Sequence, residues 1–192
     1  MKKKTFIFLF LIIISLFSIV GCNNLSSNTK EKHPDENKEI EILLPKSVIG
    51  EMKFELDDRS KELGIKEIVT QEDSSVILKT DSNSYNNILS EITNTADNKI
   101  KEILSDTEHY PPFTSIEYNE DFTEVNIKVD KNLYDTSWGM YVLSFYLYGD
   151  FYQAVESIPD EKINTIINFI DVNTDEIIES NDSNYMCNPE NF

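Results

Sequence analysis

Residues 82–104, SNSYNNILSEITNTADNKIKEIL, carry the clearest helical period in the chain, and the fold is read outward from them. Tyr85, Ile88, Leu89, Ile92, Ala96, Ile100, Ile103 and Leu104 recur at steps of three and four, so a helix here has one apolar face and one polar face. Pro111-Pro112 marks its exit. Thr114–Tyr118 and Glu124–Val129 follow as a hairpin, with Val125, Ile127 and Val129 on one face and Asn126 and Lys128 on the other.

The same order recurs on both sides. Upstream, Glu39–Leu44 alternates as a first strand and stops at Pro45. Ser47 can cap a helix carrying Val48, Ile49, Met52, Leu56 and Leu63, ended by Gly64. Lys66–Thr70 and Ser75–Thr80 then form a hairpin around residues 71–74. Downstream, a third helix is expected from Ser137 to Ile158, halted by Pro159, and a third hairpin joins Asn164–Ile170 to Glu176–Ser180. A helix–strand–strand unit thus appears three times, as a rhythm of elements with little identity between the copies. The fold class expected is α+β: a largely antiparallel sheet of about seven strands with three helices packed mainly on one face, forming one globular domain over residues 39–192.

The third helix is the most distinctive segment. Trp138, Tyr141, Phe145, Tyr148 and Tyr152 follow one another at helical spacing, while Met140, Leu143, Tyr146, Leu147 and Phe151 make other faces apolar too. A helix that is apolar around most of its girth is normally buried, so core packing is the expectation. The competing reading makes Trp138, Tyr141, Tyr148 and Tyr152 a binding surface for a glycan or peptide.

Catalytic signatures are few. The four glycines beyond residue 38, at 50, 64, 139 and 149, are scattered, so no phosphate-cradling loop can be built from them. There is no Gly-x-Ser-x-Gly elbow, no His-Glu-x-x-His helix and no cysteine pair for zinc. His109, in Glu108-His109-Tyr110-Pro111, reads as a surface residue at a helix exit. Asp171, Asn173, Asp175, Glu179 and Asp182 fall at positions 1, 3, 5, 9 and 12 of an EF-hand spacing, but Glu176 stands where glycine is needed and strand flanks the segment. A hairpin turn is the expectation there, and a weak calcium site the alternative. No cofactor is expected. A carboxylate-dependent hydrolase acting on envelope material remains the enzymatic alternative, resting on two acids facing across a cleft.

The N-terminus supplies an address. Lys2, Lys3 and Lys4 precede an apolar run from Phe6 to Val20, broken only by Ser15 and Ser18. That is the layout of a secretory signal, and about 15 residues fall short of the roughly 20 needed to span a bilayer. Ile19-Val20-Gly21-Cys22 resembles the lipobox of bacterial membrane lipoproteins, with Ile in place of the more usual Leu and Val in place of Ala or Ser. The resemblance covers residues 1–22. It implies cleavage after residue 21, a diacylglyceryl group on the Cys22 sulfur, acylation such as palmitate, and attachment to the extracytoplasmic face of the cell membrane. Two acyl chains give a stable hold where one gives a marginal one. Residues 22–38, polar apart from Leu25, are expected to be a flexible tether with a reach of roughly 20–25 Å.

Composition narrows the partners. The whole chain carries 35 acids, 17 basic residues and a net charge of −18; without the three leader lysines, 14 basic residues face the same 35 acids, giving −21. This disfavours nucleic acid, whose recognition rests on Lys and Arg at phosphates. An unknown protein or envelope ligand is the expected partner, with the membrane reached through lipid. With Cys22 lipidated, Cys187 is left without an internal disulfide partner. Arg59 is the sole arginine, and the Ile, Asn and Lys excess is what A·T-rich coding produces in low-GC Gram-positive bacteria. Gly149-Asp150-Phe151-Tyr152-Gln153-Ala154-Val155 resembles segments of uncharacterised Gram-positive lipoproteins, a similarity over about 30 residues that brings no activity with it.

Overall fold

A computed structural model of the chain describes residues 38–186. The leader, Cys22, the tether with His33, and Cys187 lie outside the described residues.

The elements run β1 (Glu39–Leu44), α1 (Lys46–Ile49), α2 (Asp58–Glu62), β2 (Glu67–Thr70), β3 (Val76–Asp81), α3 (Ser82–Ser105), β4 (Phe113–Tyr118), β5 (Glu124–Val129), a 3-10 turn (Thr136–Tyr141), α4 (Ser144–Val155), a second 3-10 turn (Asp160–Lys162), β6 (Ile166–Asp171), β7 (Ile177–Asp182) and α5 (Ser183–Met186). The class is α+β with seven strands, as the pattern implies. The strands do not make one sheet. They make a three-stranded antiparallel sheet in the order β1-β3-β2 and a four-stranded sheet in the order β4-β5-β6-β7.

The division has a physical cause. β3 uses both of its edges, pairing Leu43 with Ile77 on one side and Val69 with Ile77 on the other. The chain then enters α3, whose 24 residues carry it about 36 Å before another strand begins. The second sheet is not wholly antiparallel either. β5 and β6 run parallel, pairing Glu124 with Ile166 through Val129 with Asp171. A parallel pair needs a crossover of a dozen residues or more, and the segment holding α4 provides it.

Two of the expected helices are broken. The first stops at Ile49, because Gly50 takes a left-handed φ of 55° while its N–H bonds back to Lys46. Helix resumes only at Asp58, where the Asp57 carboxylate accepts from the Ser60 N–H. The third starts as the 3-10 turn and becomes α-helical at Ser144; it ends at Val155, with Ser157 left-handed at φ 61° and the Ile158 N–H returning to Gln153. Five α-helical segments therefore replace three among the described residues. The three hairpins are not equivalent units, since the first shares a sheet with β1 while the other two join through the parallel pair.

Local rules explain what does form. Asp81 caps α3 by accepting from the Ser84 N–H at 3.1 Å. β3 and β5 alternate buried and half-buried residues along their length. One core gathers Ala96 and Ile103 of α3, Val125, Ile127 and Val129 of β5, Ile167 and Phe169 of β6, and Phe145 of α4. A second joins Ile42, Leu44, Val76 and Leu78 of the first sheet to Ile88 of α3 and Val155 of α4. Ile92, half-buried, packs against both, and α3 and α4 each contribute to the two cores. Among the described residues, no helix is long and apolar enough to cross a membrane.

Candidate functional site

The aromatic residues singled out by spacing separate into three settings. The first is the 3-10 turn, whose start is fixed by Asp135: its carboxylate accepts from the Ser137 N–H at 2.8 Å and from the Ser137 hydroxyl. This turn sets Trp138 edge-on to Phe113, with centroids 6.0 Å apart and planes at 90°. Tyr141 lies 5.3 Å from Trp138 and meets Tyr110 edge-on, also at 5.3 Å. Such geometries are favoured by the ring quadrupoles. The Lys99 ammonium sits 6.0 Å from the Tyr110 centroid, at the outer limit of a cation–π contact. The cluster is open on one side, where Tyr141 is 48% exposed and Met140 70% exposed.

Tyr148 belongs to the second setting. It is buried against Phe145 in a T-shaped contact at 5.7 Å, and burial pushes its hydroxyl pKa up. It is a core residue, so for Tyr148 the competing reading of a binding surface gives way to packing. Tyr152 is the third case. It is half-buried, tilted against Phe122 at 5.9 Å, and it lines a cleft of about 340 Å³ with Glu120, Asp121, Glu156 and Lys162. Partial burial raises its pKa first, and the carboxylates of Glu156, Glu120 and Asp121 add to that. Trp138 and Tyr141 thus come together, while Tyr148 and Tyr152 do not join them.

The position of the ring cluster follows from α3. The chain enters the described fold at Glu39, which pairs with Asp81 at the start of that helix. Tyr110 stands beside Lys99, 17 residues further along it and therefore about 25 Å away. The open rings and the point of chain entry lie toward opposite ends of the longest helix.

The acidic stretch 171–182 does not fold as a calcium loop. β6 continues through Asp171, and β7 takes up Glu179 and Asp182, which point to opposite faces of the strand. Each side chain has its own work. Asp171 accepts from the Asn173 N–H and the Thr174 hydroxyl, which hold its pKa below the usual carboxylate range. Asp175 pairs with Lys128 at 2.7 Å, Glu179 accepts from the Tyr134 hydroxyl at 2.8 Å, and Asp182 accepts from the Tyr185 N–H at 2.8 Å. The Asn173 amide nitrogen lies 3.4 Å from Asp171, so this side chain also stays within the turn. Among the described residues, no group of three or more His, Cys, Asp or Glu is placed to hold a metal ion. Hairpin geometry has won over ligand geometry.

One cluster escapes the spacing analysis. Asp150, in the aromatic run of α4, accepts from the Thr165 hydroxyl at 2.7 Å and the Ser183 hydroxyl at 2.9 Å. Ser183 in turn accepts from the Thr165 N–H, and Thr165 Oγ1 accepts from the Gln153 amide at 3.1 Å. Gln153 is 1% exposed and also donates to the carbonyls of Phe122 and Asn164. Burial pushes the Asp150 pKa up, against the two hydroxyls that lower it, and the charge of Asp182 adds to the rise. The signal available in sequence was polar residues inside an otherwise apolar helix, which must find partners when buried.

His109 is exposed, and its Nδ1 lies 2.9 Å from the Asp106 carboxylate. The contact joins the two side chains at the exit of α3. Comparison with protein-family models, with curated proteins and with solved structures finds no match to this chain.

Proposed function

We propose that this protein is a lipid-anchored extracytoplasmic lipoprotein whose α+β domain acts without chemistry, as an interaction module for a protein or envelope partner. The lipobox-like Ile19-Val20-Gly21-Cys22 and the apolar leader support the anchor. The observation that carries the binding role is the open ring cluster: Met140 and Tyr141 are exposed over Trp138, Tyr110 and Phe113. Large side chains of these types are enriched at the centres of protein interfaces, where they give much contact for little entropy lost.

A carboxylate hydrolase is the less supported reading. Asp150 is the carboxyl whose pKa burial raises, but two hydroxyls cover it and it lies outside the lining of the Tyr152 cleft. Two experiments test the proposal. Labelled fatty acid is expected in the wild type and not in Cys22→Ala; label in both removes the anchor. Paired Met140→Ser and Tyr141→Ser substitutions are expected to abolish partner capture while the far-ultraviolet spectrum is unchanged; undiminished capture removes the ring cluster from the account.

A further inference from the structure

Asp150, Gln153, Thr165 and Ser183 do more than fill the interior, because together they surround one peptide bond. It joins Asn164 to Thr165, just before β6. The Thr165 hydroxyl donates to Asp150 Oδ1 at 2.7 Å, so a nucleophile touches a base. The Ser183 hydroxyl donates to the same oxygen at 2.9 Å. Two such donors orient the carboxylate and favour its ionised form, the one that can take a proton. The Gln153 amide nitrogen donates to the Asn164 carbonyl oxygen at 3.2 Å and to Thr165 Oγ1 at 3.1 Å. It therefore faces the oxygen on which charge would develop if that carbonyl were attacked. At the nitrogen end of the bond, the Thr165 N–H donates to Ser183 Oγ at 3.0 Å. Thr165 is fully buried, and Gln153 and Ser183 are nearly so. Gly149 lacks the Cβ that would collide with Thr165 Oγ1.

We propose that Asn164–Thr165 is a self-processing bond, at which the Thr165 hydroxyl attacks the carbonyl of the residue before it. The nucleophile and the carbonyl belong to neighbouring residues, so no distant groups have to be brought together. Asp150 takes the hydroxyl proton as Oγ1 bonds to the Asn164 carbonyl carbon. The negative charge passes to the carbonyl oxygen, where the Gln153 amide meets it. The C–N bond then breaks, and the proton moves from Asp150 through the Ser183 hydroxyl to the Thr165 nitrogen. The product is an ester between the Asn164 carbonyl and Thr165 Oγ1, with a free amino group on Thr165. It is an isomer of the starting chain, with nothing added or lost. Water then hydrolyses the ester, leaving a carboxylate on Asn164 and restoring the hydroxyl. β6 and β7 lie in the second piece, which stays paired to β5 of the first. The reaction uses only the protein's own backbone and water, so it sits beside the interaction role rather than replacing it.

Purified full chain, incubated at neutral pH and then denatured, tests this. Two pieces are expected, their masses summing to that of the intact chain plus one water, with the smaller beginning at Thr165. Neutral hydroxylamine should speed the cut and leave a hydroxamate on Asn164, because it traps the ester. The chain holds no Asn-Gly pair, the usual site of direct cleavage by that reagent. Asp150→Asn keeps an oxygen acceptor for both hydroxyls and should slow the cut by about a hundredfold or more, as loss of a general base does. Thr165→Ser should still cut, and Thr165→Val should not. A chain that stays whole for a week with hydroxylamine present overturns the proposal, as does a cut that Asp150→Asn leaves at the wild-type rate. Should the Asp150 and Thr165 variants fail to fold, a wild-type cut at any other bond, or one that yields no hydroxamate, overturns it equally.

Discussion

Trp138–Tyr141 and Phe145–Tyr148 continue a single run of aromatic spacing, yet one stretch meets water and the other does not. Phe145 is fully enclosed and Tyr148 is 8% exposed, whereas Tyr141 is 48% exposed. The difference lies in what surrounds them. α4 runs between α3 and β6, so each of its faces finds a neighbour. The 3-10 turn precedes that slot and is covered on one side only, by Phe113 and Tyr110. Identical residue types are core material in one place and exposed surface a turn away, and the surroundings decide which.

The comparison breaks most easily in the interior. Phe145→Ala should cost about 3–5 kcal/mol in denaturant unfolding, the range for deleting a buried ring, and a value near zero would mean that α4 is not the core element described. Gly149→Ala should cost about 1–3 kcal/mol, because an added Cβ would stand 2.2 Å from Thr165 Oγ1 and 2.7 Å from the Phe122 carbonyl oxygen. The far end of α3 can be sharpened by pH. The Ser84 N–H and the Lys66 ammonium hold the Asp81 pKa down at about 2 against an ordinary 3.8. A depressed pKa means that its contribution is complete above 3.8 and is lost as pH falls through about 2. Thermal unfolding of Asp81→Asn, which keeps the cap but not the charge, should lose that part of the acid dependence. At the open rings, Met140→Ser alone, at a residue 70% exposed, should change stability by no more than about 0.5 kcal/mol, the usual range for surface substitutions. A larger loss would make this end part of the core.

Much of the fold was legible because it is local. β1 begins and ends where alternation and Pro45 place it, β5 shows its period of two, and α3 follows its apolar stripe from Ser82. Partner choice was not legible. Nothing in the alternation of Ile167 and Phe169 says that β6 will lie parallel to β5, because pairing is decided by what the crossover leaves free. The break after Ile49 was marked by Gly50, a residue suited to ending a helix, but the apolar positions beyond it carried the helical reading onward. Aromatic spacing located the ring cluster without saying which rings emerge, since periodicity fixes a face and not its neighbour. Asp150 drew no notice because a single acid in an acidic chain carries little information until its partners, Thr165 and Ser183, are seen beside it.

Site-specific photo-crosslinking on intact cells tests the central claim most directly, with the reactive group placed at position 140 and, as a control, at position 41 on the exposed side of β1. The account predicts a discrete adduct from position 140, absent from position 41 and absent when Cys22→Ala releases the domain. The same adducts from both positions, or none from 140 in lipid-anchored protein, would contradict it.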